Sequence, residues 1–251
     1  MTARILERSV AANVGSWLVH DRQHELDALT NPLKRKLGRG LLAFALAHPQ
    51  AAERTLDRLA SGQGYRYLGS GVEFSTYLRS SDNTAIKVHR NSAGQPQEKL
   101  TELVDEKKQG YVLLANYLGS TVLPQTVQVA EHVLGGNFQT VQIEQPFITF
   151  SDEDSPFRVM DTAVDPGRLE NLVRNVPGID DAFLELITRS RLMYDEKEQL
   201  PDTNGTNNIV AQPAGNLVLI DSSPIGSEHP GVQQLILDQL QSLEHGLREV
   251  A

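Results

Sequence analysis

A glycine-bearing loop, a lysine inside an apolar run and a late set of carboxylate and amide side chains follow one another in this chain. Phosphoryl transfer needs groups of these kinds: backbone amides close to phosphate, an ammonium on the phosphate oxygens, and oxygen donors for magnesium. The segment Leu68-Gly69-Ser70-Gly71-Val72-Glu73-Phe74 lies between two strand-like runs. Glycine there lets the main chain approach an anion with no side chain in the way. Lys87, in Ala85-Ile86-Lys87-Val88, offers a point charge for phosphate. Glu98, Glu102 and Glu106 recur every four residues, so all three lie near one helical stripe from which a carboxylate can meet that lysine. Far along the chain, Asp202, Asn208 and Asp221 are side chains of the carboxylate and amide types that offer oxygen donors. Taken singly each signal has an ordinary explanation: a turn for the glycines, a solvent-facing strand residue for the lysine, a solvated helix face for the glutamates.

These residues need elements to hold them, and the hydrophobic pattern supplies an order. Residues 3 to about 60 read as helices, with Asn31-Pro32 and His48-Pro49 as punctuation. Strand-like runs follow at Tyr65–Leu68, Phe74–Leu78 and Thr84–Val88, the last two joined by a Ser81-Asp82-Asn83 turn. Pro96–Tyr117 returns to helical spacing, and Val127–Val133 with Phe138–Ile143 predicts a hairpin across Gly135-Gly136-Asn137. After Pro146 an acidic connector, Ser151–Asp154, leads to helices at Arg168–Val173 and Asp180–Tyr194. A small hairpin is expected between Ile209-Val210 and Leu217–Ile220, then a last helix at about Val232–Arg248. The fold class is therefore α+β, with five strands and one helix inserted after the third.

That order, the lysine run on the third strand, and the segment Leu200-Pro201-Asp202-Thr203-Asn204-Gly205-Thr206-Asn207-Asn208-Ile209-Val210 with Asp221 beyond it resemble the protein-kinase-like superfamily, in particular its small bacterial-type and aminoglycoside-phosphotransferase-like members. The resemblance covers roughly Tyr65 to Asp221. It implies a two-lobed fold: an all-helical region over residues 1–62, an antiparallel N-lobe with one helix over 63–146, and a short, mainly helical C-lobe over 147–251. It further implies ATP and Mg2+ as cofactors. Gly69, Ser70, Gly71, Lys87 and Glu106 would hold the phosphates, and Ile143–Phe147, with Glu144 and Phe147, would be the linker at adenine. Asn208 and Asp221 would hold the metal, with Asp202 as the catalytic acid–base group.

Departures from the family pattern narrow the expectation. Phe74 replaces the third glycine, Leu200 and Pro201 stand where histidine and arginine usually precede the aspartate, and Asp221 is followed by Ser222-Ser223. Asp202 and Asn208 are six positions apart, one more than usual, so strict alignment puts Thr203 at the acid's place unless Gly205 absorbs the extra residue. Only 30 residues follow Asp221, too few for a peptide-binding platform, so a small hydroxyl acceptor fits better than a protein one, and the acceptor itself is left open. The alternative is a pseudokinase: a nucleotide- or protein-binding module without catalysis, its N-terminal helices docking a partner.

Composition sets outer bounds. With 251 residues, 39% of them hydrophobic, the chain can build an ordinary core. A net charge of −9 argues against nucleic acid as a partner, and the absence of cysteine excludes disulfides, thiolate metal sites and cysteine nucleophiles. The first residues do not read as a secretory signal and Leu41–His48 is far too short to cross a bilayer, so neither a membrane nor export is expected and a cytoplasmic setting fits. A calcium-loop reading of Asp202–Pro213 fails because the glycine and the terminal acid are misplaced. His20 and His24 read as helix-surface residues, since no third ligand accompanies them.

Overall fold

The computed structural model describes residues 49–70, 73–134, 139–157, 163–203, 208–221 and 223–250. The helical reading through His48, the His20/His24 pair, Gly71, Gly205 and Ser222 lie outside the described residues. By compactness the chain divides into two units, Met1–Asp105 with Gln125–Phe147, and Glu106–Pro124 with Ile148–Ala251.

In the first unit, helix α1 is described over Pro49–Ser61. Strands β1 (Tyr65–Ser70), β2 (Phe74–Arg79), β3 (Thr84–His89), β4 (Thr126–Glu131) and β5 (Gln139–Pro146) form one antiparallel sheet in the order β1-β2-β3-β5-β4. The β2–β3 turn closes through Asn83 at φ 56, a left-handed conformation that asparagine tolerates. Alternation along the strands sorts side chains to two faces. Tyr77, Ile86 and Val88 pack with Ala60 of α1 on one face. Phe74, Val127, Val141 and Ile143 pack with Leu100 and Val104 on the other.

Leu100 and Val104 belong to helix α2 (Gln97–Leu118), the helix expected after the third strand. Its later turns carry Leu114 and Leu118 into the core of the second unit. That core also takes in helices α3 (Pro166–Asn175), α4 (Ile179–Lys197) and α5 (Pro230–Val250) through Leu169, Phe183, Ile187, Ile236, Leu240 and Leu243. Helix α3 starts where Asp165 accepts the N–H groups of Gly167 and Arg168 at 3.0 and 3.2 Å, ahead of Pro166. Two short strand pairs complete the unit: β7 (Ile209–Ala211) with β8 (Leu217–Leu219), as the sequence predicts, and β6 (Leu200–Pro201) with β9 (Pro224–Ile225), which it does not. Among the described residues no helix is long and apolar enough to cross a membrane.

Candidate functional site

The first unit carries the glycine loop, the lysine and the expected linker. Strand β1 bulges at Leu68: Tyr67 pairs with Tyr77 and Gly69 with Thr76, which leaves Leu68 without an opposite residue. Gly69 has φ +153, a conformation open to glycine and strained for any L side chain, while a Cβ built there would meet nothing within 4 Å. The glycine is thus required by the backbone and not by crowding. Ser70 still pairs with Ser75, and beyond the loop the Glu73 carbonyl accepts the Arg90 N–H at 2.9 Å, tying the loop's far end to the end of β3.

Lys87 sits on β3, the central strand, between Thr76 of β2 and Ile143 of β5, and is only 7% exposed. The ordinary solvent-facing lysine of an edge strand is not what this residue is. Alternation places it on the sheet face that carries Phe74, Val141 and Ile143. Gln145, buried and diagonal to Lys87 across the β3–β5 ladder, shares that face. In sequence Gln145 enters only as part of the Ile143–Phe147 linker; the signal of its burial is a polar residue in phase with the apolar positions 141 and 143.

Glu144 lies inside β5, flanked by Ile86 of β3 and Thr126 of β4. Its carboxylate accepts two hydrogen bonds from the Arg79 guanidinium, at 3.3 and 3.0 Å, and one from Gln128 Nε2 at 3.1 Å. Arg79 also donates to Asp82 at 3.1 Å, and these bonds, first to Asp82 and then to Glu144, raise its pKa above the ordinary guanidinium value. The same contact with Arg79 holds the Asp82 carboxyl below its usual range. Phe147 donates its N–H to the Asn83 carbonyl at 3.0 Å, closing the end of β5 onto the β2–β3 turn.

The second unit carries the acid, the amide and the remaining carboxylates. Glu106, on α2, is mostly exposed, and its carboxylate lies 3.4 Å from Lys107 Nζ. Asp202 follows strand β6, whose Leu200 and Pro201 pair with Ile225 and Pro224. The Thr203 N–H donates to the Pro201 carbonyl at 2.9 Å, a three-residue turn with Asp202 at its apex. Thr203 is fully buried, its hydroxyl 2.9 Å from Oε1 of Gln239 on α5. Of the two adjacent candidates, Thr203 is buried and bonded to α5, and Asp202 is partly exposed.

Asn208 links the acid to the last aspartate's strand. Its Nδ2 donates to the Asp202 carbonyl at 3.0 Å, and its own carbonyl accepts the Ile220 N–H at 2.8 Å. With Nδ2 so engaged, Oδ1 accepts no hydrogen bond among the described residues. Asp221, directly after Ile220 at the end of β8, accepts the Ser223 N–H on one carboxylate oxygen at 3.1 Å. An amide oxygen and a carboxylate are donors suited to magnesium, which takes one or two protein oxygens and fills its octahedron with water and phosphate.

The sequence also gave no sign of the buried amides of α5. Gln233 Nε2 donates to the carbonyls of Glu198 and Ile225, at 2.8 and 3.2 Å, and Gln239 holds Thr203. No protein-family model matches the chain, and no curated protein matches it.

Proposed function

We propose that the chain is an ATP- and Mg2+-dependent phosphotransferase of kinase-like type, acting on a small or unknown hydroxyl acceptor. The observation that carries the reading is the Asn208 tether: one side chain bonds the Asp202 carbonyl while its main chain bonds the residue before Asp221. A pure scaffold has no need to bind an acid, an amide oxygen and a second acid into one segment.

Each unit contributes its own part. The first supplies the Gly69 bulge, where the backbone is accessible to phosphate, together with the buried ammonium of Lys87. The second supplies Asn208 and Asp221 as magnesium ligands and Asp202 as the group that orients the acceptor hydroxyl and takes its proton. Bound magnesium would neutralise charge on the phosphate oxygens. In this reading Ile143–Phe147, with Glu144 and Phe147, borders the adenine, and Glu106 is a residue for the nucleotide's phosphates.

The second reading is a pseudokinase, a nucleotide- or partner-binding module. What favours it is strand β6: the two positions before Asp202 are buried ladder residues, Leu200 and Pro201, in place of polar loop residues. A thermal-shift titration with ATP, with and without Mg2+, on the wild type and Lys87→Ala separates the cases, because a ligand of the native state raises Tm by mass action. A magnesium-dependent rise lost in the variant, with ADP formed on incubation, supports the transferase. A rise without turnover supports the module, and no rise at millimolar ATP refutes both nucleotide readings.

A further inference from the structure

We infer that Gln239, on the last helix, is the positioning residue for Asp202 and acts through Thr203; its catalytic meaning rests on the phosphotransferase reading. Asp202 stands at the apex of a turn closed by the Thr203 N–H and the Pro201 carbonyl. Among the described non-glycine residues only Asn83 and Glu198 have positive φ, so this is the inverse form of the γ-turn, which any L residue adopts without strain. Such a turn is a weak local structure by itself, and its direction has to be fixed from outside.

Helix α5 does this at three points. Gln233 bonds the carbonyls of Glu198, just before β6, and of Ile225, which pairs with Leu200. Gln239, 1% exposed among Ile236, Leu240 and Leu243, accepts the Thr203 hydroxyl. An amide oxygen can only accept, so the Thr203 hydroxyl must be the donor, and the side chain has one bonded orientation. With Thr203 drawn inward on one side and Pro201 held in the β6–β9 ladder on the other, the main chain that carries the partly exposed Asp202 is fixed on both sides. A general base has to lie within hydrogen-bond reach of the proton it takes, and a displacement of about 1 Å costs on the order of 100-fold in rate.

The experiment compares the full-length wild type with Gln239→Leu, Thr203→Val and Thr203→Ser, reading amide hydrogen exchange together with the kinetics of MgATP turnover. Gln239→Leu and Thr203→Val are expected to speed exchange of the Thr203 and Ile220 amides about tenfold or more. The Val141 amide, in the other unit, stays as in the wild type. Both variants lower kcat roughly 10- to 100-fold with KM for MgATP unchanged, and Thr203→Ser, which keeps the hydroxyl, restores both readouts. Unchanged exchange at Thr203 overturns the inference, as does faster exchange with kcat unaltered, since Gln239 would then be a core residue only. If the wild type turns over no ATP, the exchange result still decides whether Gln239 orients the Asp202 turn, and the phosphotransferase reading is what falls.

Discussion

Gly110 lies in the interior of α2, where glycine is a poor choice, and its substitution by alanine sets two opposed effects against each other. Helix propensity alone favours alanine by about 1 kcal/mol. A Cβ at this position, however, would stand 2.8 Å from Cδ and 3.3 Å from Cγ of Pro224. The proline ring is not the end of a flexible side chain, and Pro224 is held in the ladder opposite Pro201. The helix or strand β9 must therefore move, and overpacking of this kind costs about 1–3 kcal/mol. Gly110→Ala should come out between neutral and about 2 kcal/mol less stable, once the helix gain is subtracted from the clash. Urea unfolding at constant m-value measures this, with Gly231→Ala as control, because nothing lies within 4 Å of a Cβ on Gly231. The decisive comparison is Gly110→Ala in a Pro224→Ala background, where the ring is gone and the substitution should stabilise by up to about 1 kcal/mol. Stabilisation of the same size in both backgrounds would refute the claim that α2 is notched to seat the strand beside the candidate acid.

Gly69→Ala meets no atom but forces an L residue to φ +153, so a loss of about 1–3 kcal/mol is expected in urea unfolding, and a neutral result would mean the bulge relaxes. Asp221→Asn keeps the acceptor for the Ser223 N–H and removes the charge, so magnesium-dependent ATP binding should vanish in calorimetry while Tm without ligand is kept. Unaltered affinity would rule out Asp221 as a metal ligand. The Glu244 carboxyl is held below its usual range chiefly by the hydrogen bond from Arg191, and this stabilises the fold above the unfolded-state value of about 4.3. The contribution disappears as pH falls through the depressed folded value. Arg191→Gln should therefore be less stable than wild type at neutral pH and converge with it in acid, as followed by melting curves between about pH 7 and pH 2.

Much of the architecture was legible because it rests on strong periodic signals. Alternation gave all five strands of the large sheet, and 3.6-residue spacing gave α2 to α5, with boundaries shifted by a few residues. One such shift is at β5, read as ending at Ile143 and observed to run to Pro146, because its last residues pair with β3 beyond Thr126, the first residue of β4. That extension turns Glu144 into a residue flanked by strands on both sides. Strands β6 and β9 were illegible for a local reason. Each is two residues long and contains a proline, which argues against strand in a sequence, while at a short ladder of this kind the missing N–H costs little.

The candidate site was legible in its residue types and not in its supports. Asp202, Asn208 and Asp221 could be named through the resemblance, yet that Thr203, next to Asp202, is buried and bonded to α5 had to be seen. Gln233 and Gln239 fall within a helix whose apolar stripe was evident, and polar residues there read as ordinary exposed ones. A hydrogen bond to a residue 36 positions away leaves no trace in local pattern. Lys87 shows the same limit in reverse: the run around it is apolar, but burial on the central strand follows from the strand order β1-β2-β3-β5-β4, which no single segment encodes.

The bulge on β1 has a further consequence for how the molecule behaves among its own copies. Among the described residues strand β1 is an edge of the sheet, and a sheet edge is where a foreign strand can add. A straight edge carrying Tyr65, Tyr67 and the exposed Leu68 would be a ready template for such addition. The irregularity between Tyr67 and Gly69 breaks the regular spacing of the main-chain groups and increases the local twist, so a second chain cannot stay in register along it. The glycine conformation that interrupts this ladder thus works against strand-to-strand self-association, so solubility constrains Gly69 independently of any ligand.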